Sequence, residues 1–211
     1  MRAPPVSVVM SIGHAPPNLE WGLDQLLHVL RFDDELIVLD HSGLEQVQTT
    51  VQRIQGRHGP VRVVQTAPNG SKPLLFGAEQ AINPVVLFLN ESHHMPTPSW
   101  HAFLVELQHN AQQADCLWGC FALKVPAGQW GLAMRVRGWW LWSRLTKRVH
   151  AQQAVFVSRA LLIQHANALV VHPCRSYAML SSRLWFNPSA RFVAVPQAVI
   201  FSPKSGGRLC A

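Results

Sequence analysis

The sequence predicts an α/β protein: a doubly wound, mostly parallel sheet with helices on both of its faces. Three observations carry that prediction. Short aliphatic runs alternate with longer amphipathic segments through the first 115 residues, the pattern of parallel strands joined by crossover helices. The strand-like runs are apolar almost throughout, not at every second residue, as strands covered on both faces are. Finally, 211 residues with 48% hydrophobic content can bury one substantial core but not two full ones. We therefore expect one domain over residues 1–211, with a lobe over 1–115 and another over 116–211.

Val6–Ile12 opens the chain as a β-branched buried strand. Pro16-Pro17-Asn18 turns it into a helix whose apolar face is Leu19, Leu23, Leu26, Leu27 and Leu30. Glu35-Leu-Ile-Val-Leu-Asp40 is a second strand ending in an aspartate, followed by a His41-Ser42-Gly43 loop and a helix over Leu44–Gln55. Val61–Thr66 is the third strand, Leu74–Ile82 a helix, and Val85–Leu89 the most apolar strand of all. Trp100–Ala114 reads as an amphipathic helix. The second half continues with a strand over Trp118–Val125, a basic aromatic helix over Met134–Arg148 and a strand over Ala154–Val157. A helix from Arg159, helical character over residues 175–186 and a strand over Phe192–Phe201 complete it.

Charge is placed unevenly. All 11 acidic residues lie between Glu20 and Asp115, so the first 115 residues carry a net −5 and the remainder +12. An acid-free half calls for an anionic partner such as phosphate or lipid headgroups, and it cannot supply carboxylates for catalysis or metal binding. Nucleic acid is the poorer partner, because the cations are dispersed and no nucleic-acid motif accompanies them. Cys116, Cys120, Cys174 and Cys210 show no metal-ligand spacing and read as reduced thiols. The apolar run at the N-terminus is too short for a signal peptide, and no stretch reaches the ~18 residues of a membrane span. The expected location is cytoplasmic.

In doubly wound sheets, ligands bind beyond the carboxyl ends of the strands. That rule points to Gly13–His14, Asp40–Ser42 and Asn90–His94. With the order of elements in place, the motifs Val6-Ser-Val-Val-Met10, Glu35–Asp40 and Val85-Val-Leu-Phe-Leu-Asn90-Glu-Ser92 resemble those of a family 2 glycosyltransferase with the GT-A fold. So do Trp118-Gly-Cys-Phe-Ala-Leu123, Ser143-Arg-Leu-Thr146, Gln153-Ala-Val-Phe-Val157, Ser182-Arg-Leu184 and Phe201-Ser-Pro-Lys204. The likeness is narrowest to the short bacterial radical-SAM/selenodomain-associated glycosyltransferases and spans roughly residues 6–205.

The resemblance implies a nucleotide-sugar donor and a lipid or small-molecule hydroxyl as acceptor. It places Asp40 against the nucleotide base or ribose, Lys72 near the diphosphate, and Gly13 and Asn90 beside the nucleotide. A capping or loop role for Asp40 and a solvated surface position for Lys72 are the structural alternatives. The family's metal-binding aspartate is matched by Ser92, so manganese or magnesium would depend on Glu91 and His93, which otherwise form a polar loop. The family's Gly-Asp-Gln is represented by Ala151-Gln152-Gln153. Where its catalytic acids stand, this chain has Ser176-Tyr177. Tyr177 and His172, or His150 and His165, are the groups left to take the acceptor's proton.

Arg135–Arg148 combines Trp139, Trp140 and Trp142 with five cations. Either the tryptophans meet the headgroup level of an anionic membrane, or they are core and the cations are solvated.

Overall fold

The computed structural model describes residues 2–13, 18–58, 61–65, 73–150, 152–165, 180–184 and 186–201. Lys72, His172, Tyr177, Cys174, Cys210 and the Ser-Pro-Lys204 motif lie outside them. Eight strands form one sheet: β1 (Val6–Ile12), β2 (Glu35–Asp40), β3 (Val61–Gln65), β4 (Val85–Asn90), β5 (His93–His94), β6 (Leu117–Lys124), β7 (Val155–Ser158) and β8 (Arg191–Phe201). Their order across the sheet is β3-β2-β1-β4-β7-β6-β8-β5. The pairings β1–β2, β1–β4, β2–β3 and β6–β8 are parallel, while β7 runs antiparallel to both neighbours and β5 antiparallel to β8. This is the mostly parallel α/β architecture that the alternating pattern requires.

Helices cover both faces. On one side α1 (Leu19–Val29), α2 (Glu45–His58), α4 (Thr97–His109) and α5 (Trp130–Thr146) share a core with Val6, Val8, Met10 and Ile12 of β1, α4 lying against β8 and α5 against β6. On the other, α3 (Pro73–Gln80), α6 (Arg159–Gln164) and the helical residues 180–184 pack on Val9, Ile37, Leu39 and Phe88. Successive side chains of β1 thus enter opposite cores. Because both faces are covered, the strand reads as an unbroken apolar run.

Local chemistry sets the element ends. At the start of β1, Asp34 has a fully buried carboxylate. It accepts from Val6 N–H at 2.9 Å and holds the Arg31 guanidinium in a two-pronged pair at 2.8 and 2.9 Å. The same guanidinium donates to the carbonyls of Ala3 and Pro4. α4 begins at Thr97, a turn before Trp100, because Pro98 falls in its first turn, where the missing N–H is not needed. A 3-10 turn over Ala111–Cys116 takes up the rest of the segment expected to be helical. α5 begins at Trp130, after Gly128 turns the chain at φ 89°. It stops when Lys147 enters the left-handed region at φ 53° and donates its N–H to the Ser143 carbonyl.

Two features hold the β6–β8 seam. The Gly119 backbone lies so near β8 that a Cβ would sit 1.8 Å from the Val193 carbonyl oxygen and 2.6 Å from the Phe156 ring. Only glycine permits that approach. Further on, the register jumps from Phe121↔Val195 to Ala122↔Ala198. Pro196 falls in the gap; lacking an N–H, it cannot donate to the ladder, so the strand bulges around it.

Candidate active site

The strand order reverses at β1, which lies between β2 and β4, and the ends of all three strands come level there. Ile12 pairs with Asp40 and Ser11 with Asn90. In doubly wound folds ligands bind beyond the carboxyl ends of the strands. Gly13, Asp40 and Asn90 are brought to that one edge.

Asp40 is almost completely buried, 2% exposed. Its Oδ1 accepts from the Ser42 amide at 2.8 Å and the Ser42 hydroxyl at 2.6 Å, and the hydroxyl oxygen in turn accepts from Leu44 N–H. The bonds to Ser42 give the aspartate the loop role that was the structural alternative, closing a turn of its own chain. Its carboxylate is oriented by the loop that leaves β2. His41, between them, is half-buried; burial pushes its pKa down against the opposing pull of the Asp40 and Glu91 carboxylates. It stands as a neutral imidazole near neutral pH.

Glu91 crosses from β4 toward β1. Its amide donates to the Ser11 carbonyl at 3.2 Å, and its Oε2 lies 3.5 Å from the Gly13 N–H. The Asn90 side-chain oxygen accepts the Ser92 amide at 2.9 Å, closing a tight turn that brings His93 back under the strand.

His93 is buried, with both ring nitrogens engaged. Nδ1 accepts from the Asn90 amide at 3.1 Å, and Nε2–H donates to the Gln152 carbonyl at 2.8 Å. The partners settle the tautomer, since an N–H can only donate and a carbonyl only accept. Desolvation pushes its pKa down to about 4, outweighing the Gln152 bond and Glu91, which raise it. The expectation that His93 joins Glu91 as a metal ligand is corrected on this geometry, because neither nitrogen has a lone pair to offer.

Among the described residues no three His, Cys, Asp or Glu side chains gather as a metal-binding group. At the turn after β4, Glu91 offers a carboxylate and Ser92 only a hydroxyl. Sequence reasoning placed Ser42 in the site loop and Gln152 in the Ala151–Gln153 segment but gave neither its bonding role. The Asp-x-Ser spacing at residues 40–42 is a signal for the first, but a carbonyl reached across 59 residues leaves none.

A second polar cluster ties α5 to this edge. The buried Gln153 accepts through Oε1 from the Ser143 hydroxyl at 2.9 Å and the His150 amide at 2.7 Å. Its amide donates to the Cys120 sulfur at 3.5 Å. Burial raises the Cys120 thiol to about 12, so it stays protonated and inert. Trp139 stacks on His150 with ring centroids 3.9 Å apart, and Trp140 lies under the Arg144 guanidinium at 4.8 Å. Of the three tryptophans grouped by the sequence, Trp142 is exposed and the other two are half-buried.

The fold is that of nucleotide-sugar glycosyltransferases. *S. aureus* TarS 1–349 in complex with UDP-GlcNAc superposes with a TM-score of 0.69 at 16% identity, covering 97% of this chain and 60% of that one. The mannosyltransferase PcManGT from *Pyrobaculum calidifontis*, in complex with GDP-Man and Mn2+, gives 0.65 at 16% identity, with 97% and 59% covered. GalNAc-T7 with UDP, GalNAc and Mn2+ gives 0.70 at 14%, with 97% and 45% covered. The chain thus spans at most three-fifths of these structures. No family model matches it, and neither does any curated protein. At these identities the likeness establishes a GT-A-like glycosyltransferase fold.

Proposed function

We propose that this protein binds a nucleotide-sugar donor at the ends of β1, β2 and β4 and transfers the sugar to a lipid or small-molecule hydroxyl. The observation that carries the reading is the buried Asp40 carboxylate, oriented by Ser42 at the switch point of the sheet. Asp40 would accept from the nucleoside, with Gly13 and Asn90 beside it and Lys72 near the diphosphate. Residues 1–115 form the donor lobe in this reading and residues 116–211 the acceptor lobe. The work would be done in the cytoplasm, at the inner face of the membrane. The narrower likeness to the radical-SAM/selenodomain-associated group, with altered metal and base motifs, belongs to the same proposal. No step is assigned to a metal, and His172 and Tyr177 are the proposed bases.

Calorimetric titration with UDP, GDP and their sugars tests the donor site. Binding of one nucleotide, weakened at least about tenfold in Asp40→Ala, is expected; no binding across the panel removes the reading. A second reading is a non-catalytic relative that binds a partner protein or a membrane surface. It is favoured by Ser92 at the metal position and by the absence of any acid from residues 116–211. Donor turnover by the wild type, lost in Asp40→Ala, excludes it.

A further inference from the structure

Helix α5 is apolar on two sides, and only one of them is covered. Val136 and Ser143 are buried, with Leu132, Ala133 and Trp139 packed beside them. At about 100° per residue, Trp130, Met134, Leu141, Trp142 and Leu145 fall on a single arc about 120° wide away from that buried face. They are 79, 52, 54, 58 and 71% exposed. Exposed arginines border the arc: Arg137 and Arg144 on one edge and Arg135 on the other. Surface helices normally turn polar residues outward, and a contiguous outward stripe of five large apolar side chains marks an interaction surface.

The surroundings select the occupant. Residues 116–211 contain no acid and carry a net +12, which suits a surface dense in phosphate. A stripe bordered on both edges by arginines matches a helix lying in the membrane interface. There, Trp and Leu enter the acyl boundary while guanidinium groups snorkel to the headgroups. Among the described residues no helix is long and apolar enough to cross a membrane, so this contact would be peripheral.

We propose that α5 is an interfacial helix that seats the protein on an anionic bilayer, its exposed Trp-Met-Leu stripe entering the lipid between two arginine borders. This deepens the peripheral location in the functional reading above and holds with or without sugar transfer. The test is flotation with vesicles of phosphatidylcholine alone and of phosphatidylcholine mixed with phosphatidylglycerol, for wild type, Leu141→Ser/Leu145→Ser and Arg135→Gln/Arg137→Gln. We expect wild type to float with the anionic vesicles and far less with the neutral ones. Partitioning should fall about tenfold or more in the leucine variant, and about tenfold, with a flatter salt dependence, in the arginine variant. No flotation of wild type, or flotation undiminished in both variants, overturns the proposal. So does a wild-type dimer that both variants convert to monomer without any vesicle binding, since the stripe would then join two copies. The substitutions are at exposed positions, and thermal melts verify folding; should the leucine variant fail to fold, the arginine variant carries the comparison. Nucleotide titration of the same variants without vesicles separates failure of the membrane seat from failure of the donor site.

Discussion

At the scale of single residues, the site rests on side chains held by their neighbours. Asp40 is oriented by Ser42, and His93 is held between the Asn90 amide and the Gln152 carbonyl. The histidine leaves a signature in the pH dependence of stability. Its folded pKa, about 4, lies below the ordinary 6.5. As pH falls through 6.5 the unfolded chain takes up a proton that the folded chain refuses, so stability drops until about pH 4 and then levels. The loss is about 3 kcal/mol at its fullest. Urea titrations at neutral pH and at about pH 4.5 should show a steeper loss in wild type than in His93→Gln. Equal losses would mean that His93 is not held neutral.

At the scale of elements, the β6–β8 seam joins two strands of the second half of the chain, and its closeness depends on one missing side chain. Gly119→Ala places a methyl against the Val193 carbonyl and the Phe156 ring, two partners that cannot move without parting the strands. The melting temperature is expected to fall by about 10 °C or more, measured by circular dichroism on the purified variant. A shift of only a few degrees would show that β8 can retreat. Gly138 provides the contrast, since nothing lies within 4 Å of a Cβ there and its φ needs no glycine. Gly138→Ala should leave the melting temperature unchanged or raise it slightly, alanine being the better helix former.

At the scale of the whole molecule, the division of charge decides how a diphosphate would be met. With Glu91 as the one carboxylate in the turn after β4 and a net +12 beyond residue 115, we expect neutralisation to fall to Lys and Arg. Nucleotide affinity should then weaken several-fold as salt rises and change by less than about twofold on addition of a chelator. Ser92→Asp, which adds a carboxylate to the turn after β4, should introduce a dependence on manganese. A wild-type affinity that collapses under chelator would overturn this assignment and return the cation to Glu91.

The strands β1, β2 and β4, the crossover helices and the meeting of Gly13, Asp40 and Asn90 at one edge of the sheet were legible in the sequence. Periodicity reports burial on each face, and β-α alternation leaves few ways to connect parallel strands. The acid-free second half was legible too, since it is a matter of composition. Tertiary structure alone decided the rest. It turned β7 antiparallel, added β5, engaged both nitrogens of His93, and turned Trp139 inward while leaving Trp130 and Trp142 outside. Each of these depends on groups distant in the chain meeting in space: a carbonyl at Gln152, a strand edge at Phe201, a ring at His150. Local pattern shows that a side chain is apolar or can accept a proton, but which partner covers it or uses that proton is set by packing.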